Sequence, residues 1–148
     1  MKIEDLYRQV IMEHYKNPRN KGLVEGDGYH VVHLHNPSCG DDMKVSLKVN
    51  NGIIESVRQD GSGCSICCSS ASVMTESLVG KTLEEALKII NDFYIMIQGA
   101  NLSEDEEESL GEAIAYKGVT KFPARIKCAT LAWKCVEQAI KEVDEDNE

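Results

Sequence analysis

Six cysteines in a chain of 148 residues are the side chains most able to do chemistry. Cys39 sits in Asn36-Pro37-Ser38-Cys39-Gly40-Asp41, a turn with a thiol and a carboxylate two residues apart. Gly40 between them gives the backbone the freedom for both to reach one ion. Cys64 closes Gly61-Ser62-Gly63-Cys64, where a helix is expected to start, and free backbone N–H groups at a helix start help keep a thiolate ionised. Cys128 falls near the start of the expected last helix. Any one of the three alone also reads as a small core residue. Their company raises a metal site beside the core reading, which spacing alone does not decide, because it is not the paired Cys-x-x-Cys pattern of a zinc ribbon. Cys67 and Cys68 follow Cys64 by three and four positions, on the same face of a helix. They read as a thiol cluster able to relay sulfur or trap metal, or as packing, the reading favoured by the general burial of cysteine. Cys135 reads as core. His33 and His35 put two rings on one face of a strand, a pattern able to bind metal. With no acid or cysteine beside them in that strand, they read as surface or packing residues.

The elements that must position these groups are legible from periodicity. Ile3, Leu6, Tyr7, Val10, Ile11, His14 and Tyr15 recur at helical spacing until Asn17-Pro18, which ends the run. A glycine-rich link, 22–28, precedes a β-branched segment at 29–35. Met43, Val45, Leu47 and Val49 then alternate with polar residues, and Asn51-Gly52 turns the chain into 53–58. These predict an antiparallel three-stranded meander with one covered face. Helical patterns run from Cys64 to Gly80 and from Leu83 to Gly99, and Thr82/Glu85 and Ser103/Glu106 both fit capping boxes. A final helix is expected after Pro123. The expected fold class is α+β, a three-stranded antiparallel sheet with helices packed on one face. Residues 1–148 read as a single domain with an acidic tail from about 144.

Composition narrows the function. The formal net charge is −9, from 16 Lys and Arg against 25 Asp and Glu, which argues against a nucleic-acid or anionic-membrane partner. Nine of those acids lie in 104–108 and 144–148. With these set aside the body of the chain is formally neutral. No apolar run is long enough to span a bilayer, and the charged first twenty residues do not resemble a signal peptide. The expected location is the cytoplasm, where reducing conditions leave cysteines as ligands, reactive thiols or core.

The quoted motifs, together with Ala71-Ser72-Val73-Met74-Thr75, Gly80-Lys81-Thr82 and 121–133 (Lys121-Phe122-Pro123-Ala124-Arg125-Ile126-Lys127-Cys128-Ala129-Thr130-Leu131-Ala132-Trp133), resemble the IscU/SufU family of iron-sulfur cluster assembly proteins from about residue 4 to 142. Two departures point to its zinc-binding SufU branch. Lys127 stands where IscU proteins carry a histidine before the third cysteine, and a protonated ammonium cannot ligate metal. About twenty further residues, including the acid run, precede that cysteine. The resemblance implies an IscU-like fold, a Zn2+ ion held by Cys39, Asp41, Cys64 and Cys128, and Cys39 as catalytic sulfur acceptor. It implies a partner cysteine desulfurase of the SufS type, with a Suf scaffold or apo-proteins receiving the sulfur downstream. Such a protein is a sulfurtransferase-like acceptor rather than a stand-alone enzyme.

Asp41 is a hard oxygen ligand among thiolates, so such a shell exchanges a ligand more readily than an all-thiolate one. Gly40 lets the Cys39 loop swing, so a partner residue that took a place on the metal would free Cys39 to attack a persulfide. Arg125 and Lys127 next to Cys128, with Cys67 and Cys68, are auxiliary candidates that offset charge, meet the partner or handle sulfur. Two alternatives use the same residues. One is a scaffold on which a two-iron two-sulfur cluster is assembled from iron and sulfide. The other is a zinc-stabilised adaptor that binds the desulfurase without accepting sulfur.

Overall fold

A computed structural model of the chain describes residues 2–37 and 40–146. Helix α1 (Ile3–Lys16) carries Glu4 and Asp5 in its first turn and Lys16 in its last, matching the helix dipole, and it buries Val10 and His14. Strands β1 (His30–Asn36), β2 (Asp41–Asn50) and β3 (Ile53–Ser62) form one antiparallel sheet in the order β1-β2-β3. Asn51 and Gly52, both at positive φ, make the β2–β3 turn. The expected meander is therefore present.

Strand β3 runs four residues beyond the expected 53–58. Gln59, Asp60, Gly61 and Ser62 are poor strand formers, but β2 begins at Asp41 and its backbone needs partners there. Asp42 pairs with Ser62, Met43 with Gly61 and Lys44 with Asp60. Backbone hydrogen bonds between Gln59 and the chain at Asn20 and Gly22 hold the outer edge of this extension.

Met43, Val45 and Leu47 of β2 point into the core with Val32, Ile54 and Val57, beneath α5 (Ile126–Asp146) and α2 (Ser65–Leu78). The opposite face of the sheet carries the glycine-rich link. The Val24 N–H donates to Ser46 Oγ, and the Arg58 guanidinium donates to the carbonyls of Lys21 and Gly22. Helices thus cover one face and a loop partly shields the other. Among the described residues no helix is long and apolar enough to cross a membrane.

Helices α3 (Leu83–Ile97) and α4 (Glu104–Leu110) both open on the expected capping boxes, Thr82/Glu85 and Ser103/Glu106. The acid run occupies the first turn of α4, where carboxylates meet the positive end of the dipole. Periodicity does not mark the next element, a 3-10 stretch over Gly111–Lys121. Its Ala113, Ala115, Tyr116 and Val119 are buried. Tyr116 stands edge-on to Phe93 and Tyr7, and Phe93 stacks on Trp133 with centroids 4.1 Å apart. This insertion is held by tertiary packing rather than by local propensity.

At the centre lies α2, whose buried residues combine the small Cys67, Ser69, Ser70, Ala71 and Ser72 with Val73, Met74, Thr75 and Leu78. Small side chains let its neighbours approach closely, and each buried hydroxyl is paired. Tyr116 OH donates to Ser69 Oγ (2.7 Å), and Trp133 Nε1–H donates to Ser70 Oγ (2.9 Å), which in turn donates to the Ala129 carbonyl (2.7 Å). The Arg19 N–H donates to Ser72 Oγ, 2.8 Å away. Ser70→Ala removes the acceptor of the buried Trp133 N–H. The expected cost is about 1–3 kcal/mol, read as a lower urea midpoint at unchanged slope.

Candidate metal centre

Three elements bring their ends together. Asp41 is the first residue of β2, paired with Asn36 across the β1–β2 connection. Cys64 is the N-cap of α2, and Cys128 is the third residue of α5, preceded by the short 3-10 turn Pro123–Arg125. Both thiols therefore stand at the positive ends of long helices. One ligand atom from each of Asp41, Cys64 and Cys128 lies within 4.8 Å of the others. Asp41 and Cys128 are buried and Cys64 is half-buried. The Cys64 N–H donates to Asp41 Oδ1 at 3.2 Å, which fixes the carboxylate against the start of α2.

Gly63 is required for this approach. A Cβ at position 63 would overlap the Asp41 carboxylate, and φ is +154° there. The glycine thus creates the space into which the aspartate is set.

The cluster suits a divalent cation. Two thiols and a carboxylate gathered at one buried point repel one another when ionised, and a metal ion relieves that cost. Ligand atoms around a tetrahedral zinc stand about 3–4 Å apart, on the scale of the separations here. The three residues supply three positions of such a shell. Cys39, expected as the fourth, lies with Ser38 outside the described residues. Its neighbours are placed: Gly40 adopts φ +73°, and its N–H donates to the Asn36 carbonyl.

The auxiliary candidates separate. Arg125 is exposed but its guanidinium reaches the thiols. A hydrogen bond to Cys128 first, and then the charges of Cys64 and Cys128, hold its proton more firmly than usual. Lys127 is exposed, whereas the cysteine it precedes in sequence is buried. Cys67 is fully buried in the apolar core. Cys68 is half-buried, with Sγ 3.8 Å from the Gly63 carbonyl and 4.0 Å from that of Gly61. Burial pushes its thiol up in pKa, opposed by the charge of Lys21. Neither Cys67 nor Cys68 belongs to the Asp41, Cys64 and Cys128 group. Cys135 is core as expected. Its thiol points at the Val32 carbonyl, and burial raises its pKa to about 12.

Two features escaped sequence reasoning. Tyr7 of α1 is near enough to feel both Cys64 and Arg125. Burial first, then the charge of Cys64, raises its phenol above the usual range, with Arg125 opposing. In the sequence it is one apolar position in a helical stripe. Asp42 on β2 faces both strand histidines, with Oδ1 2.6 Å from His33 Nε2 and 3.5 Å from His35 Nδ1. The hydrogen bond with His33 is the main reason its carboxyl falls below the usual range. The acid that the His-x-His pair lacks in its own strand is across the ladder.

Residues 6–129 match the family described as NifU-like N terminal domain. The chain is 46% identical over 145 residues to the zinc-dependent sulfurtransferase SufU of Bacillus subtilis, covering 98% of this chain and 96% of that one. It is 42% identical over 140 residues to the iron-sulfur cluster assembly scaffold protein IscU of Streptococcus pyogenes, covering 95% and 86%. The N-terminal part of a nitrogen-fixing NifU-like protein from Brucella abortus superposes with a TM-score of 0.82 at 25% identity, covering 97% of each chain.

Gly63→Ala is expected to displace the Asp41 carboxylate and weaken divalent-cation binding at least about tenfold while leaving the helices intact. Zinc titration against a competing chelator, alongside far-UV circular dichroism, measures both effects.

Proposed function

The chain belongs to the family of NifU-like N-terminal domains, and on that premise we propose that it is a zinc-dependent sulfur acceptor of iron-sulfur cluster assembly. The observation that carries this reading is the convergence of Asp41, Cys64 and Cys128 at one point, with Lys127 exposed to solvent and outside that group. Cys39 is two residues from Asp41 in sequence, which supports its reading as the fourth ligand. Cys39, Asp41, Cys64 and Cys128 would hold the zinc ion, which would keep their thiols deprotonated.

The sulfur arrives as the terminal atom of a cysteine persulfide on a cysteine desulfurase of the SufS type. The Cys39 thiolate attacks that atom. A bond forms between Cys39 Sγ and the terminal sulfur, the sulfur–sulfur bond of the donor breaks, and the donor cysteine leaves as a thiolate. No net oxidation occurs. Arg125 offsets the negative charge of the thiolates and of the incoming persulfide, and its exposure leaves it open to the partner. The persulfide on Cys39 then passes to a Suf scaffold or an apo-protein. This chemistry needs reduced thiols, consistent with a cytoplasmic location, and it uses the chain as one domain.

Desulfurase turnover with the wild type and with Cys39→Ala, alongside metal analysis and mass spectrometry, tests the reading. Colourless, zinc-loaded protein that accelerates cysteine desulfuration and acquires one sulfur on Cys39 is the expected result, with acceleration and modification both lost in Cys39→Ala. Full sulfur acceptance by Cys39→Ala would overturn it. Brown protein with visible absorption would favour the cluster scaffold, and acceleration without a persulfide on Cys39 would favour the adaptor. Zinc removal by a chelator is expected to lower the melting temperature, because the metal binds the folded chain alone; differential scanning calorimetry reads the shift.

A further inference from the structure

Away from the thiols, one imidazole and two carboxylates converge from three different elements. His14 of α1 is completely buried, while Glu76 of α2 and Glu112 of the 3-10 stretch are exposed on their outer sides. One ligand atom from each lies within 4.8 Å of the other two. His14 Nε2 is 3.3 Å from Glu112 Oε2 and 3.8 Å from Glu76 Oε1. The Glu112 contact is within hydrogen-bonding distance, and its length also matches a ligand-to-ligand edge, about 3.0–3.5 Å, of a coordination polyhedron with bonds near 2.1 Å, with Glu76 Oε1 slightly farther out.

The second nitrogen of the ring is also placed for this role. His14 Nδ1 is 2.7 Å from Ser72 Oγ, the outer hydrogen bond that orients an imidazole for ligation through Nε2. Glu76 and Glu112 line a cleft of about 260 Å³ together with Lys81, Ser77, Ser109 and Gly111, so water reaches the two carboxylates. Arg19 Nε lies 3.6 Å from Glu76 Oε1, and Arg19 Nη2 donates to Glu13 Oε1. Arg19 and His14 face the same Glu76 oxygen, Oε1, so a bound cation takes that oxygen from Arg19, which keeps its bond to Glu13. Glu13, Glu76 and Glu112 against Arg19 and Lys81 leave the surroundings negative when His14 is neutral.

We propose that His14, Glu76 and Glu112 form a second divalent-cation site that takes a first-row transition ion of the Mn(II), Fe(II) and Co(II) class. One nitrogen and two oxygen donors suit these ions, whereas the thiolate-rich centre suits zinc. A cation here ties the start of the 3-10 stretch, just past the end of α4, to α1 and α2. The site uses none of the thiol ligands and is independent of the sulfur-acceptor reading.

Zinc-loaded protein titrated with Co(II) under anaerobic conditions tests it. The expected result is saturation at one equivalent with the weak visible bands of nitrogen and oxygen ligation, no intense thiolate-to-cobalt charge transfer, and a higher melting temperature. Glu76→Gln and Glu112→Gln should each weaken the affinity at least about tenfold, whereas Glu108→Gln, an exposed acid outside the cluster, should not. Both glutamates are partly exposed, so their variants are expected to keep the fold, with circular dichroism as the check. Absence of saturable binding, charge-transfer bands from cobalt at the thiols, or affinity unchanged in both cluster variants would each overturn the proposal.

Discussion

The structure depends on burying α2, a helix whose first half turns serines, alanine and cysteine inward before Val73, Met74 and Leu78 complete its buried face. Small side chains permit close approach of α1, β3, α5 and the 3-10 stretch, but every buried hydroxyl must then find a partner or bear the desolvation cost. α1, α5 and the 3-10 stretch each supply one. Ser69 binds the 3-10 stretch through Tyr116, Ser70 binds α5 through Ala129 and Trp133, and Ser72 binds α1 and the chain after it through His14 and Arg19. Directional bonds of this kind set the rotation and depth of α2 more narrowly than a greasy interface would. The N-cap of α2 is Cys64, so the same bonds decide where that thiol points.

Electrostatics at the thiol centre derive from this placement. Cys64 and Cys128 each begin a long helix, and the two dipoles add positive potential where thiolates and a carboxylate must coexist. Arg125 adds a full charge from the solvent side. Asp41 is held by the Cys64 N–H in the space that Gly63 leaves open. The acid excess of the chain takes no part in this. Much of it sits in the first turn of α4, as a helix-capping feature remote from the thiols.

The insertion illustrates where local rules stop. Its capping box and acidic first turn are readable because they depend on residues three positions apart. Its 3-10 continuation is not, because no apolar period marks it. Tyr116 and its alanines are fixed by Phe93, Tyr7 and Ser69, from distant parts of the chain. For the same reason β3 outruns its β-forming residues: the partner strand, not propensity, requires Gln59 to Ser62 to extend.

From the sequence alone came the meander and helix order, the three cysteine motifs with Asp41, and the burial of Cys135. These rest on period, turn chemistry and short spacing, which are local. Folding alone decided which thiols share a point in space. Cys67 and Cys68 are closest to Cys64 in sequence, yet one turns into the core and the other onto backbone carbonyls, while Cys128, sixty-four residues away, joins Cys64 and Asp41. Tyr7 beside the thiols, Asp42 beside the paired histidines, and Glu76 and Glu112 beside His14 are likewise products of packing. Side-chain direction on a helix or strand is set by what the element packs against, and that information is spread over the whole chain.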